Sequence, residues 1–343
     1  MPALTDTDAS ILVTGANGFV GAWIVKRALE KGYRVRAAVR TVQKGRHLLE
    51  SNKVHGDKLE IVAVGDIAKG PLDEAVKGVD AIIHTASPVT LQCDDPKELI
   101  EPAVNGAVGI LSSALKNGPS VKRIVVTSSF ATLLAYSTEP VTVHEGLWNE
   151  ASVKDVEVNG SKAAPISKYA ASKTLAEKAV WKFVEDHKSE INWDVTVINP
   201  PWIFGPVVHE VTTLDTLNAS NQHFHRGLVK GDFQGTDPLK YPNRGWCDVR
   251  DVADAHIRSL EVPAAGGERL LVSNASFVYQ DLLDLANSLD PKPYHTLAMG
   301  TPGTPIRFVT IDASKADRIL ALKYKTAEEL VRDTFADYTA RGW

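Results

Sequence analysis

The sequence predicts an α/β protein: a doubly wound parallel sheet that carries a smaller C-terminal lobe. Three observations predict it. Apolar runs rich in Val and Ile recur along the first 200 residues: "ILVT" at 11, "VRAAV" at 35, "LEIVAV" at 59, "AIIH" at 81, "RIVVTS" at 123 and "DVTVIN" at 194. Amphipathic stretches of helical length separate them, and a glycine-rich turn follows the first run. Runs that are apolar throughout, rather than alternating, suit strands buried on both faces of a parallel sheet. Strand–helix–strand order then places ligands beyond the carboxyl ends of the strands.

The first element pair is read from "ILVTGANGFVGAWIVKRALEKG". The strand runs into Gly15, Gly18 and Gly21 at G-x-x-G-x-x-G spacing, then into a helix with Val20, Ile24 and Leu29 on its apolar side, closed by Gly32. Glycines let backbone approach a pyrophosphate, and the helix N-terminus offers unpaired N–H groups and a positive dipole end. The spacing differs from the G-x-G-x-x-G fingerprint, and glycines serving packing alone are the competing explanation; the strand–turn–helix context favours a Rossmann-type dinucleotide site. An NAD site ends its second strand in an acid that holds the ribose 2′-hydroxyl. This chain has Arg40 there, with Lys44 and Arg46 following. Such cations attract a 2′-phosphate, so NADP(H) is expected over NAD, against the alternative of a solvated basic face.

Residues 136–165 read as a long, polar, irregular connection, a length that tends to be functional or mobile. After "NPPWIFGP" the alternation breaks down into Pro- and Gly-rich stretches. Residues 1–200 are therefore expected to form the NADP-binding domain, with segments of about 245–275 returning to it, and 201–343 mainly a substrate-binding lobe.

Composition narrows the class. The chain has 343 residues, 44% apolar and 23% charged, enough for a sizeable core. A net charge of −4 opposes nucleic-acid or anionic-membrane partners, which want a basic field. Two distant cysteines, Cys93 and Cys247, make neither a disulfide framework nor a cysteine zinc site and suit a reducing compartment. The polar start "MPALTDTDAS" lacks a secretion signal, and no run of about 18 apolar residues occurs, so a cytoplasmic protein is expected. His209, His223 and His225 lack acidic or cysteine partners at ligand spacing, and no metal is expected.

Within "ISKYAASKTLAEK", Tyr169 and Lys173 are four apart and share one helix face. By itself such a pair is common on surfaces. Downstream of a glycine turn and of "VVTSS", it points to proton transfer.

Taken in order, "VTGANGFVG", "HTASP", "PAVNG", "VVTSSFA", "YAASK", "NPPWIFGP" and "DVRDVADAH" resemble the extended short-chain dehydrogenases/reductases over nearly the whole chain. The similarity is greatest to the dihydroflavonol-reductase-like branch, which includes fungal methylglyoxal, aldehyde and ketone reductases. The resemblance implies a catalytic set of Ser129, Tyr169 and Lys173. It implies cofactor contacts at Gly15, Asn17, Gly18, Phe19, Val20 and Thr127, and 2′-phosphate contacts at Arg40 and Lys44. Asp66 and Ile67 fall near the adenine. Ala86 and Ser87 border the nicotinamide half, Pro200 to Ile203 close over its ring, and Ser220 reaches the phosphates. Ser128 competes with Ser129, since adjacent strand residues point to opposite faces; the family pattern favours the second.

In this reading Tyr169 is the general acid. Its reference pKa near 10 is high for neutral pH, and Lys173 together with an oxidised nicotinamide would favour the phenolate. Ser129 would hold the substrate oxygen, as an oxyanion-hole donor does. Positions that line the pocket in similar reductases fall on Val89, Phe130, Leu134, Ile166 and Trp202, all apolar, which suits a hydrophobic carbonyl compound. Plant dihydroflavonol reductases carry asparagine where Leu134 stands, so a flavonoid substrate is disfavoured. The partner expected is therefore a small-molecule carbonyl substrate, and the protein a monomer or homodimer. A nucleotide-sugar epimerase or dehydratase would hold NAD, which Arg40 opposes. A non-catalytic NADP-sensing regulator would lack the Tyr–Lys pair.

Overall fold

The computed structural model of the chain describes residues 3–6, 8–70, 72–87, 93–135, 139–233 and 235–343. The N-terminal part runs β1 (Ser10–Thr14), α1 (Phe19–Glu30), β2 (Arg34–Val39), α2 (Arg46–Ser51), β3 (Leu59–Ala63), β4 (Ala81–His84), α3 (Lys97–Asn117) and β5 (Arg123–Thr127). It continues through β6 (Val141–Val143), α4 (Glu150–Asn159), α5 (Pro165–Asp186), β7 (Asp194–Ile198) and β8 (Trp202–Phe204). Next come α6 (Ala219–Lys230), β9 (Pro242–Asp248), α7 (Val249–Glu261), β10 (Arg269–Leu270), β11 (Ala275–Val278) and α8 (Tyr279–Ser288). The chain closes with β12 (Val309–Ile311), α9 (Ser314–Leu320) and α10 (Ala327–Ala340).

The main sheet has the order β10-β7-β5-β4-β1-β2-β3, and every neighbouring pair in it is parallel. The order reverses between β1 and β4, the point where a doubly wound sheet opens its ligand crevice. Each expected strand is present, and burial explains its composition. Ile11 and Val13 face a core built with α1 and α7, while Leu12 between them faces a second core built with α3 and α5. All three side chains are fully buried, so successive residues serve opposite layers and no polar alternation survives.

Past residue 200 the chain builds a small sheet of order β11-β9-β8, in which β8 and β9 are parallel and β9 and β11 antiparallel. Phe204, Phe224, Phe277, Phe335, Tyr279 and Tyr338 form the lobe's own aromatic core between this sheet and α6, α8 and α10. Between these segments the chain returns to the main sheet. Helix α7 packs its Val249, Val252, Ala253 and Ile257 into the α1 side of the core, and β10 pairs with β7.

A buried ion pair secures that return. Arg123 of β5 is fully buried and donates from Nε and Nη2 to the Asp194 carboxylate of β7, at 2.5 and 2.8 Å. Its Nη1 donates to the carbonyls of Ser259 and Val262 at the end of α7. The guanidinium therefore satisfies orphan carbonyls of a helix terminus as well as a carboxylate.

The stretch expected to be irregular contains regular structure. Strand β6 pairs with β12 from 165 residues or more downstream, and α4 is capped by Asn149, whose side chain accepts from the Ser152 N–H at 3.0 Å. The helix buries only Ser152 and Val153. So narrow an apolar face leaves no helical period to read.

Candidate active site

The glycine turn lies at the carboxyl end of β1. Gly15 has φ +65°, and a Cβ there would meet Thr85 Oγ1 at 2.9 Å and the Ala86 backbone at 3.0 Å. A Cβ on Gly21 would come within 2.2 Å of the Gly15 carbonyl oxygen. The turn thus allows no side chain at either point. Helix α1 begins at an uncapped Gly18, with no acidic residue in its first turn, so its leading N–H groups and dipole are available to an anion. Asn17 and Val20 are half-buried and Gly18 is exposed; Phe19 is buried, its ring 5.6 Å from that of His209. This turn has the shape and donor chemistry that a dinucleotide pyrophosphate requires.

Arg40 follows β2 directly and Lys44 sits one short turn on; both are exposed. Asp66 is exposed and accepts from the Ala68 N–H at 3.1 Å, while Ile67 packs against α3. The basic residues and Asp66 therefore follow neighbouring strands, β2 and β3, at one end of the sheet.

Two serines close β5, and the structure separates their roles. Ser128 Oγ donates to Glu177 Oε2 at 2.5 Å. Ser129 instead sits beside Tyr169, whose pKa its hydroxyl lowers, and accepts from the Ala131 N–H at 3.1 Å. Tyr169 and Lys173 both lie on α5, whose N1 residue is Pro165. Lys173 is buried, its Nζ 2.6 Å from Ser87 Oγ, to which it donates, and 5.7 Å from the centre of the Tyr169 ring. Residues from β5, α5 and the segment after β4 thus meet at one place.

Burial raises the Tyr169 pKa above its ordinary value, and the Ser129 hydroxyl partly opposes it. Burial also pushes Lys173 down to about 8. The expectation that the lysine tips the phenol toward phenolate is outweighed, among the protein's own groups, by desolvation. His84, buried beneath the site and hydrogen-bonded to Thr14 Oγ1 at 2.9 Å, is pushed down to about 4 by burial and by Lys173.

Other expected contacts are engaged within the protein. Thr127 Oγ1 is 2.7 Å from His256 Nε2; since His256 Nδ1 lies 2.7 Å from the Val252 carbonyl, the ring donates there and accepts from Thr127. Ser220 Oγ donates to the Ile203 carbonyl at 2.5 Å, and the Pro200 carbonyl accepts from the Phe130 N–H at 2.9 Å. Ile203 is half-buried against the main core.

A cavity of about 220 Å³ has Ala131, Leu134, Ile166 and Ala170 in its wall, Ala170 being the residue after Tyr169 and Ala131 the one whose N–H donates to Ser129 Oγ. Leu134 and Ile166 are among its lining residues. Phe130 is not, for its ring is 2% exposed and belongs to a core cluster with Leu133, Val143, Leu271 and Val309. Trp202 also stands apart from this wall; it stacks on Phe204 and meets the edge of His223, 4.8 Å away, in the C-terminal lobe. Val89 lies outside the described residues.

Sequence reasoning missed the network behind the site. Glu177, fully buried, accepts from Thr132 Oγ1 at 2.9 Å, Asn199 Nδ2 at 2.7 Å and Arg269 Nε at 2.5 Å, besides Ser128. Arg269 lies over the Trp148 ring at 3.7 Å and donates to the Glu145 and Leu147 carbonyls. The available signal was spacing: Glu177 continues the Tyr169–Lys173 face by one more turn.

The parallel sheet, its glycine turn and the Ser–Tyr–Lys cluster beside it define a dinucleotide-dependent enzyme of the short-chain type. The chain belongs to the NAD dependent epimerase/dehydratase family, whose model matches residues 11–273. Among curated proteins it is 36% identical to the ketoreductase azaE of Aspergillus niger over 337 residues, covering 94% of this chain and 95% of the relative. It is 33% identical to the NADPH-dependent methylglyoxal reductase GRE2 of Saccharomyces cerevisiae, over 95% and 96% of the two chains. The crystal structure of yeast methylglyoxal/isovaleraldehyde reductase Gre2 complexed with NADPH superimposes with a TM-score of 0.83 at 31% identity, covering 97% of this chain and 99% of that one.

Proposed function

We propose that the protein is an NADPH-dependent carbonyl reductase that converts aldehydes and ketones to alcohols. The observation that carries this reading is the convergence of Ser129, Tyr169 and the buried Lys173, with Ser129 close enough to lower the phenol's pKa and the Lys173 Nζ 5.7 Å from the centre of the phenol ring. Bound NADPH supplies the hydride. Tyr169 gives its proton to the carbonyl oxygen, and Ser129 donates a hydrogen bond to the same oxygen as charge develops on it. Lys173 holds the nicotinamide ribose and keeps a cation near the phenol. Gly15 to Val20 receive the pyrophosphate, Arg40 and Lys44 the 2′-phosphate, and Asp66 and Ile67 flank the adenine. Curated relatives named as ketoreductase and methylglyoxal reductase support the reaction class, and the NADPH complex of yeast Gre2 supports the cofactor.

In this reading residues 1–200 hold the cofactor, with about 245–275 completing that domain, and the remainder of 201–343 shapes the substrate side. Among the described residues no helix is long and apolar enough to cross a membrane. The free thiols of Cys93 and Cys247 suit a cytoplasmic protein, acting as monomer or homodimer.

The test is a panel of ketones, aldehydes and nucleotide sugars, each with NADPH or NADH, followed by the loss of reduced-cofactor absorbance. Turnover of simple carbonyls with NADPH is expected. Its absence, or conversion of nucleotide sugars without net cofactor consumption, would overturn the assignment in favour of an epimerase.

A further inference from the structure

The cavity walled by Ala131 and Ala170, chain neighbours of Ser129 and Tyr169, is not uniformly apolar. Its wall includes Arg244, the only charged residue among the described lining residues. Of the polar side chains there, Arg244, Asn149 and Ser167 have partners within the protein. Asn149 donates to the Ala131 carbonyl at 2.8 Å and accepts from the Ser152 N–H at 3.0 Å, and Ser167 sits beside the Asp155 carboxylate, whose pKa it lowers. Arg244 reaches the wall from β9, the central strand of the lobe's sheet, and it is the one residue of that strand that is not buried. A cation on a rigid strand beside Ala131, Leu134, Ala135 and Ile166 works against low-dielectric walls, where its pull on an anion is strengthened.

We propose that Arg244 selects carbonyl substrates that carry a carboxylate, so that the preferred substrate is a small oxo acid rather than a neutral ketone. This rests on the reductase reading above, since it names the substrate class of the same site. An arginine fork matches a carboxylate with two parallel N–H···O bonds, and its five donors allow it to keep an internal partner while doing so. Volume adds a second restriction. About 220 Å³ lies below the roughly 300–1,000 Å³ of pockets for drug-sized ligands. The carbonyl carbon would stand at Ser129 and Tyr169, with the carboxylate directed across the cavity toward β9. The apolar residues between them pack on the connecting carbons.

The experiment compares matched pairs, each an oxo acid and the neutral methyl ketone of the same carbon skeleton, with wild type, Arg244→Met and Arg244→Lys. The readout is the ratio of kcat/KM for the acid to that for the ketone. A charge-assisted bidentate contact corresponds to a ratio on the order of tenfold to a hundredfold in wild type. Arg244→Met should collapse the ratio toward one, chiefly through KM for the acid, and Arg244→Lys should retain part of it. Partial misfolding lowers both rates together and leaves the ratio unchanged. Wild-type preference needs no variant, so the proposal stands or falls even if Arg244→Met does not fold. A wild-type ratio near one, or a ratio that survives Arg244→Met, overturns the role of Arg244 while leaving the reductase reading intact. No turnover of either partner, nor of any aldehyde, overturns both.

Discussion

Lys173 donates from its ammonium to Ser87 Oγ at 2.6 Å, which joins the middle of α5 to the segment leaving β4. That bond aligns the lysine beside the sheet's carboxyl end, one turn below Tyr169 on the same helix face. If Tyr169 is the proton donor, Tyr169→Phe should lower kcat by about 10²- to 10⁴-fold, the usual contribution of general acid catalysis. Unfolding midpoints should stay close to wild type, because the ring packing is kept. A variant that is folded and turns over at wild-type rate would remove Tyr169 from the chemistry.

Arg40 offers a test of cofactor choice. It is exposed at the end of β2, so its substitution should leave the core intact. Arg40→Glu replaces attraction for a 2′-phosphate by repulsion. KM for NADPH should rise by about tenfold to a hundredfold, as expected for a charge-assisted contact, while KM for NADH should stay level or fall. Equal changes for both cofactors would place the 2′-phosphate elsewhere.

The Glu177–Arg269 pair predicts a stability effect. Its carboxylate is fully buried and the guanidinium nearly so. Glu177→Ala leaves that guanidinium without its charge partner, at a cost of about 3–5 kcal/mol for breaking a buried pair. Arg269→Met combined with Glu177→Ala should cost less than the sum of the two single variants, because the pair acts as a unit. Urea unfolding of the four proteins measures this, and strict additivity would deny the coupling.

Asp251 predicts a pH dependence. It is buried and accepts from the Lys325 N–H at 2.8 Å, yet burial and the neighbouring Asp248 push its pKa up to about 7 from an ordinary 3.8. The folded protein therefore keeps this proton to higher pH than the unfolded chain does. The stability it contributes is complete below about pH 3.8 and is lost as pH rises through about 7. Asp251→Asn holds the neutral form permanently. The melting temperature of the variant, relative to wild type, should increase between those limits and level off above them. A difference that does not vary with pH would place the Asp251 pKa near its ordinary value.

Much of this molecule was written in short-range pattern. The six apolar runs, the three glycines and the Tyr169–Lys173 spacing depend on dihedral limits and on periods of two or four residues, which neighbours along the chain set by themselves. Tertiary packing decided what those periods do not contain. It joined β6 to β12 and set β10 against β7, and β6, β10 and β12 are too short to announce themselves. It turned Ser128 to Glu177 and Ser129 to Tyr169, although the two hydroxyls are adjacent and chemically alike. It drew Phe130 into a core, and brought Arg244 to a wall made by residues about 75–110 positions earlier. Partners so distant are chosen by the volume and hydrogen-bonding capacity left once the sheet has closed, which no local stretch of sequence encodes.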